Sequence, residues 1–166
     1  MKDDQLRKKR LVYYKEDLDQ IDKLLEEFLK LSNAKCIFLI DKEGHLVTSK
    51  GAARNLNPET LSALVAGSFA ATKEMAKMLG ETEFSVMFHQ GARDHIHISL
   101  VSERAISATI FDEKTTVGMV NLYSKELSSK LEKIFDIAMR RVAQDVPVEQ
   151  DYSDSVKDRL DDLFKE

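Results

Sequence analysis

Cysteine occurs once, proline twice and glycine six times in 166 residues, and no apolar run approaches the length of a membrane span. Each scarcity removes a class of protein. A lone Cys36 cannot support a disulfide framework, and inside the apolar run CIFLI it reads as a small core residue of a reducing compartment rather than a nucleophile. Cationic excess is missing too: 25 Lys and Arg stand against 29 Asp and Glu, for a net charge of -4. That balance leaves no broad basic surface for a phosphate backbone, so nucleic acid is not expected as a partner. The basic RKKR at residues 7 to 10 reads as a solvated end. The start MKDDQLRKKR lacks the hydrophobic region of a signal peptide, which makes the cytoplasm the expected location. There is no internal repeat or low-complexity tract.

Catalytic signatures are absent as well. No serine sits on a Gly-x-Ser-x-Gly elbow, and no base motif accompanies Cys36. GHLVTSKG looks like a phosphate loop but fails as one, because Ser49 occupies the second glycine position and Gly51 follows Lys50 where a hydroxyl residue is needed. It also runs into a strand rather than from a strand into a helix. His89, His95 and His97 flank the turn QGARD, and imidazole count alone allows a metal site. Yet no fourth ligand is specified, and polar residues at alternate positions are what a half-solvated strand shows. A binding module without cofactor or metal is favoured over an enzyme.

What is present is a clear order of elements. YKEDLDQIDKLLEEFLKLS places Leu18, Ile21, Leu24, Leu25, Phe28 and Leu31 on one helical face. KCIFLI and HLVTSK read as a hairpin, with Asp41 starting the turn and Gly44 supplying positive φ. Asn57 as N-cap, Pro58 at the first position and Gly80 as the stop delimit a second helix. Its periodicity assigns Leu61, Leu64, Val65, Ser68, Thr72, Met75, Ala76 and Leu79 to the buried side. FSVMFH, HIHISLV and ISATIF follow as an antiparallel meander. A long helix begins near Thr116 and carries Val117, Val120, Leu127, Leu131, Ile134 and Ala138 on one stripe. A polar linker around Pro147 leads to a short terminal helix with Val156, Leu160, Leu163 and Phe164 on its apolar side, too short to be stable without a surface to dock on.

The second helix poses a question. Opposite its apolar stripe lie Ala63, Ala66, Gly67 and Ala70, where a solvated face would carry Lys, Glu and Gln. Glycine costs a helix up to about 1 kcal/mol relative to alanine, so small residues at this spacing suggest close approach by another backbone. The competing reading is that alanine is simply the best helix former. The strand FSVMFH poses another, since Phe84, Val86 and Phe88 on one side and Met87 on the other make an edge without protecting charge or proline.

Four blocks, CIFLIDKEGHLVTSKG, LSALVAGSFAATKEMAKMLGE, MFHQGARDHIHISLV and IFDEKTTVGMVNLYSKE, together with this element order, resemble the roadblock/dynein light chain family, and most closely its bacterial MglB-type branch. The resemblance covers about residues 14 to 142, between a basic lead at 1–13 and a linker with terminal helix at 143–166. It implies an α+β, profilin-like fold, a five-stranded antiparallel sheet sandwiched between helices. It further implies a homodimer joined through Phe84, Val86, Met87 and Phe88. The second helices would form a platform on which a small Ras-like GTPase of MglA type docks through Ala63, Ala66, Gly67, Ala70, Lys73, Glu74 and Lys77. GTP hydrolysis would be accelerated without an arginine from this chain, leaving Arg54, Arg93 and Arg104 to turns and surface, in a setting of cell polarity or motility and recruitment to a cell pole. A scaffold tethering a GTPase or motor complex is the alternative.

Overall fold

The structure, a computed structural model, describes residues 13–53 and 55–145. The RKKR run, Arg54 and the terminal positions Val156, Leu160, Leu163 and Phe164 lie outside the described residues. In chain order the elements are α1 (Lys15–Ser32), β1 (Cys36–Asp41), β2 (Leu46–Gly51), α2 (Pro58–Met78), β3 (Val86–His89), β4 (His95–Val101), β5 (Ala105–Phe111) and α3 (Val117–Asp145). This is the expected order. The start of α3, whose Val117, Met119 and Val120 would also suit a strand, is helical: Thr116 caps it, its hydroxyl accepting from Met119 N at 3.2 Å.

The strands form one antiparallel sheet in the order β2-β1-β5-β4-β3, so β2 and β3 are its edges. Alternation sends Cys36, Phe38 and Ile40 of β1, Ile106, Ala108 and Ile110 of β5, Ile98 of β4 and Met87 of β3 to one face, where Val65 and Phe69 of α2 close the core over them. The opposite face carries Ile37 and Leu39, then turns polar across β4 and β5 with buried His97, Ser99, Ser107 and Thr109. α1 and the first part of α3 lie on that side: Thr48 Oγ1 of β2 donates to Asp22 of α1 at 2.6 Å, and His97 Nε2 meets Asn121 Oδ1 of α3 at 3.3 Å.

Contacts divide the chain into two units, Tyr14–Ile134 and a second one that includes Tyr13 and the end of α3. Within the second unit the Tyr13 and Phe135 rings lie 5.9 Å apart. No helix among the described residues is long and apolar enough to cross a membrane.

Three buried stripes need adjustment. α1 buries Ile21, Leu25 and Phe28 as expected, but Leu31 is exposed and Asp17, whose carboxylate accepts from Tyr14 N at 3.0 Å, is buried. In α3, Val117 is exposed and the stripe begins at Val120. The largest departure is in α2. Its buried residues are Ser62, Val65, Phe69 and Ala76, while Leu64, Met75 and Leu79 are exposed. The helix is turned by somewhat less than one residue step from the expected orientation, because the Phe69 ring takes the place over the sheet and Ser62 gives its hydroxyl to Pro58 O at 2.7 Å.

Candidate protein-binding surface

The outward face of α2 combines two kinds of residue. Ala63, Gly67, Ala70 and Glu74 point away from the sheet, and beside them stand Leu64, 66% exposed, and Met78, 86% exposed, with Met75 between them along the helix. One part of the small face has an explanation within the chain. Asp41 Oδ1 accepts from Glu43 N and His45 N at 3.0 and 2.8 Å, which folds the β1–β2 turn and brings Gly44, at φ 92°, against the helix. A Cβ on Gly44 would stand 3.3 Å from Ala66 Cβ and 3.4 Å from Ala63 Cα. A larger side chain at Ala66 would displace the turn, whereas Ala63 meets it only through its backbone. Gly67 is different, for a Cβ built there meets no atom within 4 Å. It lies in regular helix on the open side, and nothing among the described residues requires it to be glycine.

The rim is charged and balanced. Lys77 Nζ reaches Glu74 at 3.0 Å, one turn away on the same helix. Lys73 from α2 and Lys42 from the β1–β2 turn both approach Glu83, at 3.8 and 3.9 Å, tying helix, turn and the segment before β3 together. Exposed pairs of this kind contribute little to stability, about 0.2–0.5 kcal/mol each for the helical one. They frame the apolar centre without giving it a strong field of either sign, an arrangement that suits a protein partner more than an ionic ligand.

β3 forms the adjoining edge. Leu100 N donates to Ser85 O at 2.9 Å, and this bonded pair sets the alternation along the strand. Val86 and Phe88, opposite Ser99 and His97, are then the residues whose N–H and C=O groups point away from β4 into the open. Met87 is buried under α2, close to the Thr72 hydroxyl at 3.0 Å, whereas Val86 and Phe88 are exposed on the other face. Phe84 lies before the strand and is half-buried.

The three histidines do not converge. His97 is fully buried on Asn121, with its pKa lowered chiefly by desolvation. His95 Nδ1 accepts from Gly91 N at 3.2 Å, and its ring packs on Phe111 with centroids 5.2 Å apart. Among the described residues the group close enough to share a metal ion is Asp41, Glu43 and His45, in the turn. Arg93 is exposed in the β3–β4 turn and Arg104 half-buried in the β4–β5 turn. Cys36 is buried, and desolvation pushes its thiol pKa up to about 11, which removes thiolate chemistry at neutral pH.

An antiparallel sheet with α2 on one face and α1 and the first part of α3 on the other, an open β3 edge and an apolar outward α2 face together narrow the comparison. Residues 20–111 match the family model described as Roadblock/LC7 domain. The chain belongs to the Roadblock/LC7 domain family. Among solved structures this roadblock chain is similar to Myxococcus xanthus MglB, with 39% identity and a TM-score of 0.72 over 77% of this chain and 96% of that one. Gliding protein MglB from Thermus thermophilus is 36% identical with a TM-score of 0.70, over 76% of this chain and 96% of that one. An MglB described as having a tetrameric arrangement is 34% identical with a TM-score of 0.72, over 77% and 96%. No curated protein matches the sequence. The roadblock domain and these relatives fit a regulatory protein better than a conventional enzyme.

Proposed function

We propose that this roadblock chain is a homodimeric regulator of a small Ras-like GTPase of MglA type. Two chains join through β3, and the GTPase docks on the α2 platform formed by Ala63, Ala66, Gly67, Ala70, Lys73, Glu74 and Lys77. The observation that carries the reading is the open space above Gly67, flanked by exposed Leu64, Met75 and Met78, on a helix whose own fold needs neither. Likeness to two named MglB proteins at 36–39% identity supports the partner class. The regulator binds the hydrolysis-competent arrangement of the switch regions more tightly than the relaxed one, and so raises turnover by shifting a population. Neither Arg93 nor Arg104 is assigned to the GTPase active site. The name of the Thermus relative as a gliding protein supports placing this regulation in motility; a role in polarity with recruitment to a cell pole is part of the same proposal.

Two experiments test the arrangement. Val86→Pro removes an outward-pointing N–H from the edge and yields a monomer by light scattering at micromolar concentration; a monodisperse monomer for the unmodified chain contradicts the dimer. Co-elution of the GTP-bound GTPase with two regulator chains is expected for the native sequence and lost for Ala70→Arg. Retention of the complex by Ala70→Arg would move the docking surface elsewhere.

A further inference from the structure

A groove runs between the first turns of α3 and the open edge of β3, lined by Ser85, Val86 and His97 on the sheet side and by Val117, Gly118, Asn121 and Lys125 on the helix side. Its wall contains a second helical glycine that nothing among the described residues requires. A Cβ on Gly118 would meet only Thr116 Oγ1, at 3.9 Å. Gly118 stands in the first turn of α3, and its missing side chain leaves this part of the wall low. The groove also borders the row of outward N–H and C=O groups on Val86 and Phe88, so any strand that pairs with β3 must run along it. Side chains of that strand facing the α3 side come to lie over Gly118.

We propose that the groove receives the Phe88 side chain of a second copy of this chain. This inference rests on the β3 pairing proposed above and adds the residue that fits and where it lodges. β3 has only Val86 and Phe88 with groups directed outward. A two-fold axis through Met87 satisfies both, pairing each Val86 with Phe88 of the other copy. Val86 lines the groove, and a residue directly opposite it on an antiparallel neighbour shares its face of the sheet. Phe88 is 40% exposed, and within its own chain it leans on Phe111 in a stacked arrangement with centroids 5.9 Å apart. Its other neighbour in the chain is the His95 ring, also 5.9 Å away, and the exposed part of the ring is what can pack outward. Lys125 brings a cation and no carboxylate lines the groove, so an aromatic ring enters without burying an unpaired acid. Each copy thus completes the groove of the other, and the fit selects a like strand over an arbitrary one.

Gly118→Phe fills the groove from within while leaving the backbone groups of β3 untouched. Sedimentation velocity of the full chain over a concentration series is expected to show the dimer dissociation constant raised at least about tenfold, with the monomer helical by circular dichroism. An unchanged dissociation constant for Gly118→Phe, with Val86→Pro monomeric, overturns the groove assignment and leaves the strand pairing standing. A native chain that is monomeric at every concentration overturns the pairing and the groove together. If Gly118→Phe does not fold, Phe88→Ala decides, since removing the inserted ring must weaken the dimer by a similar factor and native-like association contradicts the proposal.

Discussion

At the scale of single residues, two buried groups have chemistry that solution conditions can read. The pKa of the Cys36 thiol, raised to about 11 by desolvation, predicts that a maleimide leaves the folded protein unlabelled at pH 7.5 and modifies it fully in denaturant, as mass spectrometry can follow. Labelling of the native protein at the rate of a free thiol would contradict the burial. His97 is held neutral: desolvation lowers its folded pKa, while the unfolded chain keeps the ordinary value near 6.5. The unfolded state therefore binds the proton first, so this contribution to stability is intact above about pH 6.5 and falls as pH drops toward the lowered value, with a limiting slope of about 1.4 kcal/mol per pH unit. Denaturation midpoints between pH 7 and 5 should fall more steeply for the native chain than for His97→Gln. Identical pH profiles would show that His97 is already solvated. The spacing of His95 and His97 put them on one face of a strand, yet their separate roles were not legible, since Asn121 and Gly91 are brought to them only by the fold.

At the scale of elements, α2 shows where sequence reading succeeds and where it fails. Its ends were legible because they depend on local chemistry: the Asn57 side chain accepts from Thr60 N at 3.1 Å, Pro58 opens the first turn, and Gly80 takes φ 83° after the last. Its rotation was not. Apolar residues occupy more than half of its circumference, so periodicity could not say whether Phe69 or Met75 faces the sheet. The consequence is measurable. Phe69→Ala should cost about 3–5 kcal/mol in chemical denaturation, whereas Leu79→Ala, on the expected stripe but 74% exposed, should stay within about 0.5 kcal/mol. Equal costs would restore the stripe read from periodicity. The strands were legible from their turns, Asp41 to Gly44 above all. That Ala66 makes room for this turn was hidden, because it requires knowing that the hairpin end abuts the helix.

At the scale of the whole molecule, the arrangement of the described elements resolves the question of the small face into two parts. The turn explains Ala66 from inside the chain, and exposed Ala63, the open position of Gly67 and Ala70 are what remains for a partner. The measurement that bears most directly on this is single-turnover GTP hydrolysis by the cognate small GTPase with the native chain, with Ala70→Arg and with Arg93→Ala. Ala70 is exposed and arginine is a good helix former, so Ala70→Arg should alter stability by no more than about 0.5 kcal/mol. In the contact it introduces a steric clash and a charge that loses water without gaining a partner. The account predicts stimulation by the native chain, loss of it with Ala70→Arg at unchanged melting temperature, and stimulation largely kept with Arg93→Ala. Full stimulation by Ala70→Arg would reduce the small face to helix propensity, and loss of stimulation by Arg93→Ala with binding retained would replace the population shift with an arginine supplied in trans.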